Sequence, residues 1–104
     1  MDTRNYIQIS GRLVADVEPN EKKSYARICI AHNYREKSMK PLYIDCVLYE
    51  KEFARNGQAI PWSHLRQGND ILITGRLETR YWTDADKKDH VKMYVVVDKI
   101  RGND

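Results

Sequence analysis

The sequence predicts an all-β fold, a small Greek-key barrel of five short antiparallel strands with one short helix between strands 3 and 4. Three observations support this prediction. The 104 residues suffice for one compact domain and contain no repeat or linker, so residues 1–104 are expected to form a single unit. Apolar residues occupy every second position in five separate stretches, and one interrupted stretch between the third and fourth has helical character.

The first three strands are predicted at residues 6–13, 24–32 and 42–49, where the alternation is regular. The third of these places two tyrosines on its polar face. Between the strands, residues 17–23 are predicted as a turn and residues 33–40 as a basic loop, since neither has an apolar period.

The second half of the chain supplies the helix and a long hairpin. Residues 50–66 are predicted to form a short helix or two turns, because a glycine and a proline interrupt the segment. Residues 69–82 and 90–100 alternate again and are predicted as strands joined by a polar tip at residues 83–89. A glycine inside the first of them, Gly75, predicts the bend that a barrel corner requires.

Composition excludes several classes of protein. No apolar run is long enough for a membrane span or a signal peptide, which predicts a cytoplasmic protein without a membrane partner. Cys29 and Cys46 lie in alternating stretches and are expected to be buried thiols in a reducing compartment. The three histidines are isolated, and metal-ligand spacings and a glycine-rich phosphate loop are absent, so we expect no cofactor, no metal and no enzymatic activity.

The aromatic composition leaves two interpretations open. Seven tyrosines and two tryptophans stand beside one phenylalanine, and the net charge is +3. Tyrosine and tryptophan can offer a half-exposed ring for stacking on a base, but tyrosine is also a common residue on the surface of strands. The charge permits a polyanionic partner without identifying one.

The predicted order of elements is that of the OB-fold, a barrel whose face and loops bind oligonucleotides or oligosaccharides. Because this fold has many functions, it does not define one. Three stretches resemble the bacterial single-stranded DNA-binding (SSB) protein family. These are a Gly-Arg-Leu strand at residues 9–16, the Ala-His-Asn at residues 31–33, and a glycine turn at residues 65–69 followed by Gly-Arg-Leu and Arg-Tyr-Trp-Thr-Asp at residues 75–84.

The resemblance implies a set of DNA-binding residues. Tyr34, Tyr43, Tyr49 and Trp82 correspond to stacking aromatics of the family, and Lys51, Arg66 and Arg80 correspond to its basic positions. Trp62 is expected to anchor the core or an interface. The roles of four other tyrosines are left open, namely Tyr6, Tyr25, Tyr81 and Tyr94.

The resemblance also implies sequence-independent binding of single-stranded DNA in replication, recombination or repair. It implies a homotetramer built through the first strand, with a dimer as the alternative, although Ile44 stands where many members have a histidine. No acidic C-terminal tail is expected, so recruitment of replication proteins is not predicted.

The alternative interpretation is a primosomal-type accessory OB protein, a dimer that binds single-stranded DNA and a helicase. An RNA or cold-shock-type binder would need aromatic clusters on the first strands.

Overall fold

The structure of the chain is a computed structural model that describes residues 4–17, 24–33 and 40–102. These residues form five strands, which are β1 (Ile7–Leu13), β2 (Tyr25–His32), β3 (Leu42–Tyr49), β4 (Asp70–Thr83) and β5 (Asp89–Gly102). A helix, α1 (Glu50–Arg55), and a single 3-10 turn (Trp62–His64) lie between β3 and β4. The strand bounds agree with the sequence prediction to within two residues.

The strands close into a barrel in the order β1-β2-β3-β5-β4. The contact between β3 and β5 is parallel and runs from Cys46 opposite Val95 to Leu48 opposite Val97. The expectation of uniformly antiparallel strands is therefore wrong at this contact. The parallel contact arises because α1 and the whole of β4 lie between β3 and β5 in the chain. β5 therefore runs in the same direction as β3. The predicted all-β, five-stranded OB-fold barrel is confirmed.

Alternate residues of every strand fill the barrel. The fully buried strand side chains in the core cluster are Leu13, Ile30, Cys46, Leu48, Ile71, Ile73, Val95 and Val97. Val96 of β5 is also fully buried but lies outside this cluster. Phe53 of α1 is also completely buried in this cluster, and Trp62 packs against it as expected. In the described part of the chain, no helix is long and apolar enough to cross a membrane.

Gly75 lies where β4 leaves the barrel. The register between β4 and β5 shifts between Thr74 and Gly75, and such a bulge bends a strand pair. A Cβ atom on Gly75 would lie 2.0 Å from the carbonyl oxygen of Val96, so only glycine allows this approach. The predicted bend is confirmed.

Beyond Gly75, β4 and β5 continue as a two-stranded arm, which comprises residues 78–94. Their pairing reaches Thr83 opposite Asp89. By contrast, β1 pairs with β4 only as far as Gly75, and the pairing of β3 with β5 is confined to residues 46–48 of β3. Within the described residues, the strands of the arm therefore pair only with each other.

The two cysteines differ in their surroundings. Cys46 is buried in the core as expected, whereas Cys29 is only half-buried. Cys29 pairs with Asp45 on the outer side of the β2–β3 pair, because the core positions of β2 are Ala26, Ile28 and Ile30. The expectation that both thiols are buried is wrong for Cys29.

Candidate nucleic-acid interface

A groove of about 460 Å³ lies between the outer side of β2 and β3 and the base of the arm. Its lining residues are Tyr25, Arg27, Ile28, Asp45, Cys46, Val47, Tyr49, Arg80, Lys92 and Tyr94. Most of these side chains point away from the core, since successive side chains of a strand point to opposite faces. The groove therefore combines tyrosine rings with arginine and lysine side chains on one surface.

Tyrosines line the groove from both sides. Tyr25 and Tyr49 are direct partners across β2 and β3 and are both exposed, while Tyr94 reaches the groove from β5. Tyr43 lies on the same face of β3 as Tyr49 but six positions away, which corresponds to about 20 Å along a strand. Its side chain is 63% exposed and does not line the groove. Ring faces are thus distributed along the length of β3.

One face of the arm extends this surface. The register pairs Arg80 with Lys92 and Trp82 with His90, so these four side chains share the face that adjoins the groove. The rings of Trp82 and His90 are stacked, with centroids 5.2 Å apart and planes inclined by 16°. The guanidinium carbon of Arg80 lies over the indole, 5.4 Å from its centroid. The indole is 39% exposed and is therefore open to a ligand as well as held by neighbours.

Asp84 organises the tip of the arm. Its carboxylate accepts hydrogen bonds from the backbone N–H groups of Asp86 and Lys88, both at 2.9 Å. It also accepts one from Nε2 of His90 at 2.7 Å. These hydrogen bonds, that of His90 first, lower the pKa of Asp84 below its ordinary value. The same carboxylate thus fixes both the turn and the imidazole on which Trp82 is stacked.

An ion-pair network joins the base of the arm to α1. The guanidinium of Arg76 donates to Glu52 at 3.1 Å and to Glu78 at 2.7 Å. The hydrogen bond from Arg76 is the main cause that lowers the pKa of Glu52. Arg76 therefore forms ion pairs with two carboxylates and connects the base of the arm to α1.

The structure brings together some of the residues predicted from the sequence. Tyr49 and Arg80 line the groove, Trp82 lies on the adjoining face of the arm, and Tyr43 lies farther along β3. Lys51 is exposed on α1 and Arg66 is exposed before β4, and neither lines the groove. Tyr34 lies outside the described residues.

Sequence reasoning missed several residues of this surface. Arg27 and Lys92 were not considered, and Tyr25 and Tyr94 had no assigned role, although all four line the groove. One signal was available for Lys92. A hairpin tip at residues 83–89 pairs Trp82 with the next residue after the tip, and the same register places Lys92 opposite Arg80.

The described residues offer neither a metal-ligand cluster nor an activated thiol. Across residues 4–17, 24–33 and 40–102, no group of three or more histidine, cysteine or acidic side chains is placed to hold a metal ion. Burial raises the pKa of Cys46 to about 12, and burial together with Asp45 raises the pKa of Cys29. Both thiols are therefore held in their protonated, weakly nucleophilic form.

Aromatic rings and cations on one face of a five-stranded barrel define an OB-fold of the nucleic-acid-binding class. The model of the single-strand binding protein family matches residues 4–102, and the chain belongs to this family. The resemblance noted in the sequence is confirmed. Because proteins of this family bind single strands without catalysing a reaction, the prediction that the chain is not an enzyme is also confirmed.

Solved structures agree with the fold. The chain is similar to the protein in a Plasmodium falciparum SSB complex with ssDNA, with 16% sequence identity and a TM-score of 0.71. The match covers 100% of this chain and 98% of that one. A comparison with curated proteins found no significant match.

Proposed function

We propose that the chain binds single-stranded DNA without sequence preference, stacking bases on its exposed rings and holding phosphates with its basic side chains. The observation that carries this proposal is the continuity of the groove with the arm. Tyr49 and Arg80 meet in the groove, and Trp82 continues the same face on the arm. From the groove, the bound DNA would extend along β3 toward Tyr43 in one direction and along the arm toward its tip in the other.

The chemistry of the ligand explains the preference for single strands. A duplex hides the faces of its bases, whereas a single strand exposes them, and each base stacked on an aromatic ring contributes about 1–3 kcal/mol. All four bases have such a face, so stacking is tolerant of sequence. Arg27 and Arg80 line the groove and would neutralise phosphates and release their counterions. Binding should therefore weaken as the salt concentration rises.

Tryptophan fluorescence tests the proposal. Trp82 is half-exposed on the proposed binding face and Trp62 is packed against the core, so a Trp62→Phe variant reports on Trp82 alone. We expect poly-dT and mixed-sequence single strands to quench this variant to a similar extent, with affinity falling between 50 and 200 mM salt. Equal affinity for a duplex of the same length, or no quenching, would contradict the proposal.

We also propose that the chain forms a homo-oligomer, with the tetramer as the expected form. Within the described residues, Ile7, Gln8 and Ile9 of β1 pair only with β4, because the pairing of β1 with β2 is confined to Arg12 and Leu13. This part of β1 leaves one edge open to another strand, and an exposed edge is a template for pairing with a second copy. Light scattering coupled to size exclusion would distinguish a tetramer from a dimer, and a monomer at micromolar concentration would contradict this proposal.

The cellular role that suits such a protein is the protection of single-stranded DNA in the cytoplasm during replication, recombination or repair. Sequence-tolerant stacking supports it, because the strands exposed in these processes have no common sequence. Depletion of the protein should increase the nuclease sensitivity of single-stranded DNA in cells. Unchanged sensitivity would argue against this role without affecting the binding proposal.

A further inference from the structure

Asp45 gives the groove a negative charge beside its cations. Among the described residues, it is the only acidic one that lines the groove, and Arg27, Arg80 and Lys92 are the cations there. It lies on β3 between the two exposed tyrosines of that strand, opposite Cys29 of β2. A carboxylate in this position repels the phosphates of any single strand that follows β3.

The carboxylate is paired with one of these cations. Nζ of Lys92 lies 2.5 Å from Oδ2 of Asp45, an ion pair that joins β3 to the arm across the groove. The side chains of Lys92 and Asp45 are 55% and 46% exposed. An ion pair so well solvated is weak and is broken easily by a competing anion.

The other two cations of the groove are differently placed. Arg80 lies over the ring of Trp82, and neither Arg27 nor Arg80 forms an ion pair with any residue that the structure describes. Lys92 alone among the three has its charge neutralised inside the groove. The groove therefore presents fewer available positive charges than its composition indicates.

We infer that Asp45 acts as an internal competitor for phosphate. In the free protein it neutralises Lys92, and a phosphate of the bound strand must take its place before Lys92 contributes to binding. This inference rests on the proposed function and adds to it a residue that lowers affinity. The competitor reduces the number of counterions released per bound strand.

Charge removal at Asp45 tests the inference. Asp45→Asn frees Lys92 and retains the shape of the side chain, and Asp70→Asn removes an equal charge at the exposed start of β4, outside the groove. We expect Asp45→Asn to bind oligo-dT about two- to fivefold more tightly than the wild type, the range of an exposed ion pair. The slope of log affinity against log salt should also steepen by about 0.7, the value for one more phosphate contact to a single strand. Asp70→Asn should leave both quantities near the wild type.

A double-mutant cycle with Lys92→Met identifies the partner. We expect this substitution to weaken binding more in the Asp45→Asn background than in the wild type, because in the wild type the contact of Lys92 with phosphate is offset by the loss of its ion pair with Asp45. An equal effect in both backgrounds would overturn the inference, as would Asp45→Asn binding no more tightly than Asp70→Asn. Wild-type protein that fails to bind oligo-dT would overturn the proposed function itself, whereas wild-type binding without a gain in Asp45→Asn overturns only the inference.

Discussion

The indole of Trp82 is stacked on the imidazole of His90 across the arm, with ring centroids 5.2 Å apart. Because His90 covers one face of the indole, at most one face is open to a base. The stack also restricts the rotamers of Trp82 before a ligand arrives, and a side chain that is already ordered loses less entropy on binding. If Trp82 stacks on a base as proposed, its ring is already ordered on an exposed arm before the ligand binds.

The proposed stacking role of Trp82 leads to a first prediction. Trp82→Ala should weaken binding of oligo-dT by about 1–3 kcal/mol, the contribution of one stacked base. Tyr81→Ala is a matched control, because Tyr81 is 76% exposed on the opposite face of the same strand. Its affinity should be unchanged in fluorescence anisotropy titrations. Equal losses in the two variants would show that the arm does not bind through one face.

The second prediction concerns Asp84 and pH. Its lowered pKa, due first to the hydrogen bond from His90, means that its stabilising contribution is fully present above the ordinary pKa of 3.8 and is lost as pH falls through the lowered value. His90→Ala removes the main cause and should move the titration midpoint of the Asp84 carboxyl carbon upward in NMR spectra. Thr83→Val removes the neighbouring Thr83–Asp89 hydrogen bond and should leave that midpoint in place. An unchanged midpoint in His90→Ala would refute the assignment.

Closure of the barrel at Gly75 gives a third prediction. Gly75→Ala should lower the free energy of unfolding by about 3 kcal/mol, the upper range for overpacking, since the added Cβ would lie 2.0 Å from the Val96 carbonyl oxygen. Gly102→Ala places its Cβ in open space and should be nearly neutral. Urea denaturation followed by circular dichroism measures both. A stable Gly75→Ala variant would mean that the bulge can relax.

The cysteines provide a fourth prediction. At pH 8, an alkylating reagent should label native protein slowly and at Cys29, because Cys46 is buried and its pKa is raised to about 12. Peptide mass spectrometry identifies the labelled site. Cys29→Ser should resist labelling until denaturant is added. Labelling of the native Cys29→Ser variant would indicate that the β3–β5 contact opens readily.

The fold could be predicted because its strands are half-buried. Each strand has an apolar side toward the core, so the period of two is visible in the sequence, and Gly75 marks the corner. The parallel contact of β3 with β5 could not be read in this way, since alternation within a strand says nothing about its distant neighbours. The interruption of residues 50–66 was visible in the sequence, and the structure resolves this segment into α1 and a separate 3-10 turn.

Part of the candidate site could also be predicted from the sequence. Tyr49, Arg80 and Trp82 belong to motifs that the family resemblance covers, and they lie on one surface. Arg27 and Lys92 come from strands that meet only in the folded barrel, so their contribution depends on the order of strands rather than on local pattern. Lys51 directly follows β3 in the sequence, but its side chain does not line the groove.

The pairing of β4 and β5 beyond Gly75 links the stability of the arm to its proposed function. The barrel end of this ladder is covered by neighbouring strands, but the arm end is a two-stranded ribbon, and a ribbon of that kind has little stability of its own. Local opening of the arm from its tip is therefore expected to need less free energy than opening of the barrel. On heating, Trp82 should leave its stack while the barrel remains folded, so affinity for single strands is lost at a lower temperature than the fold.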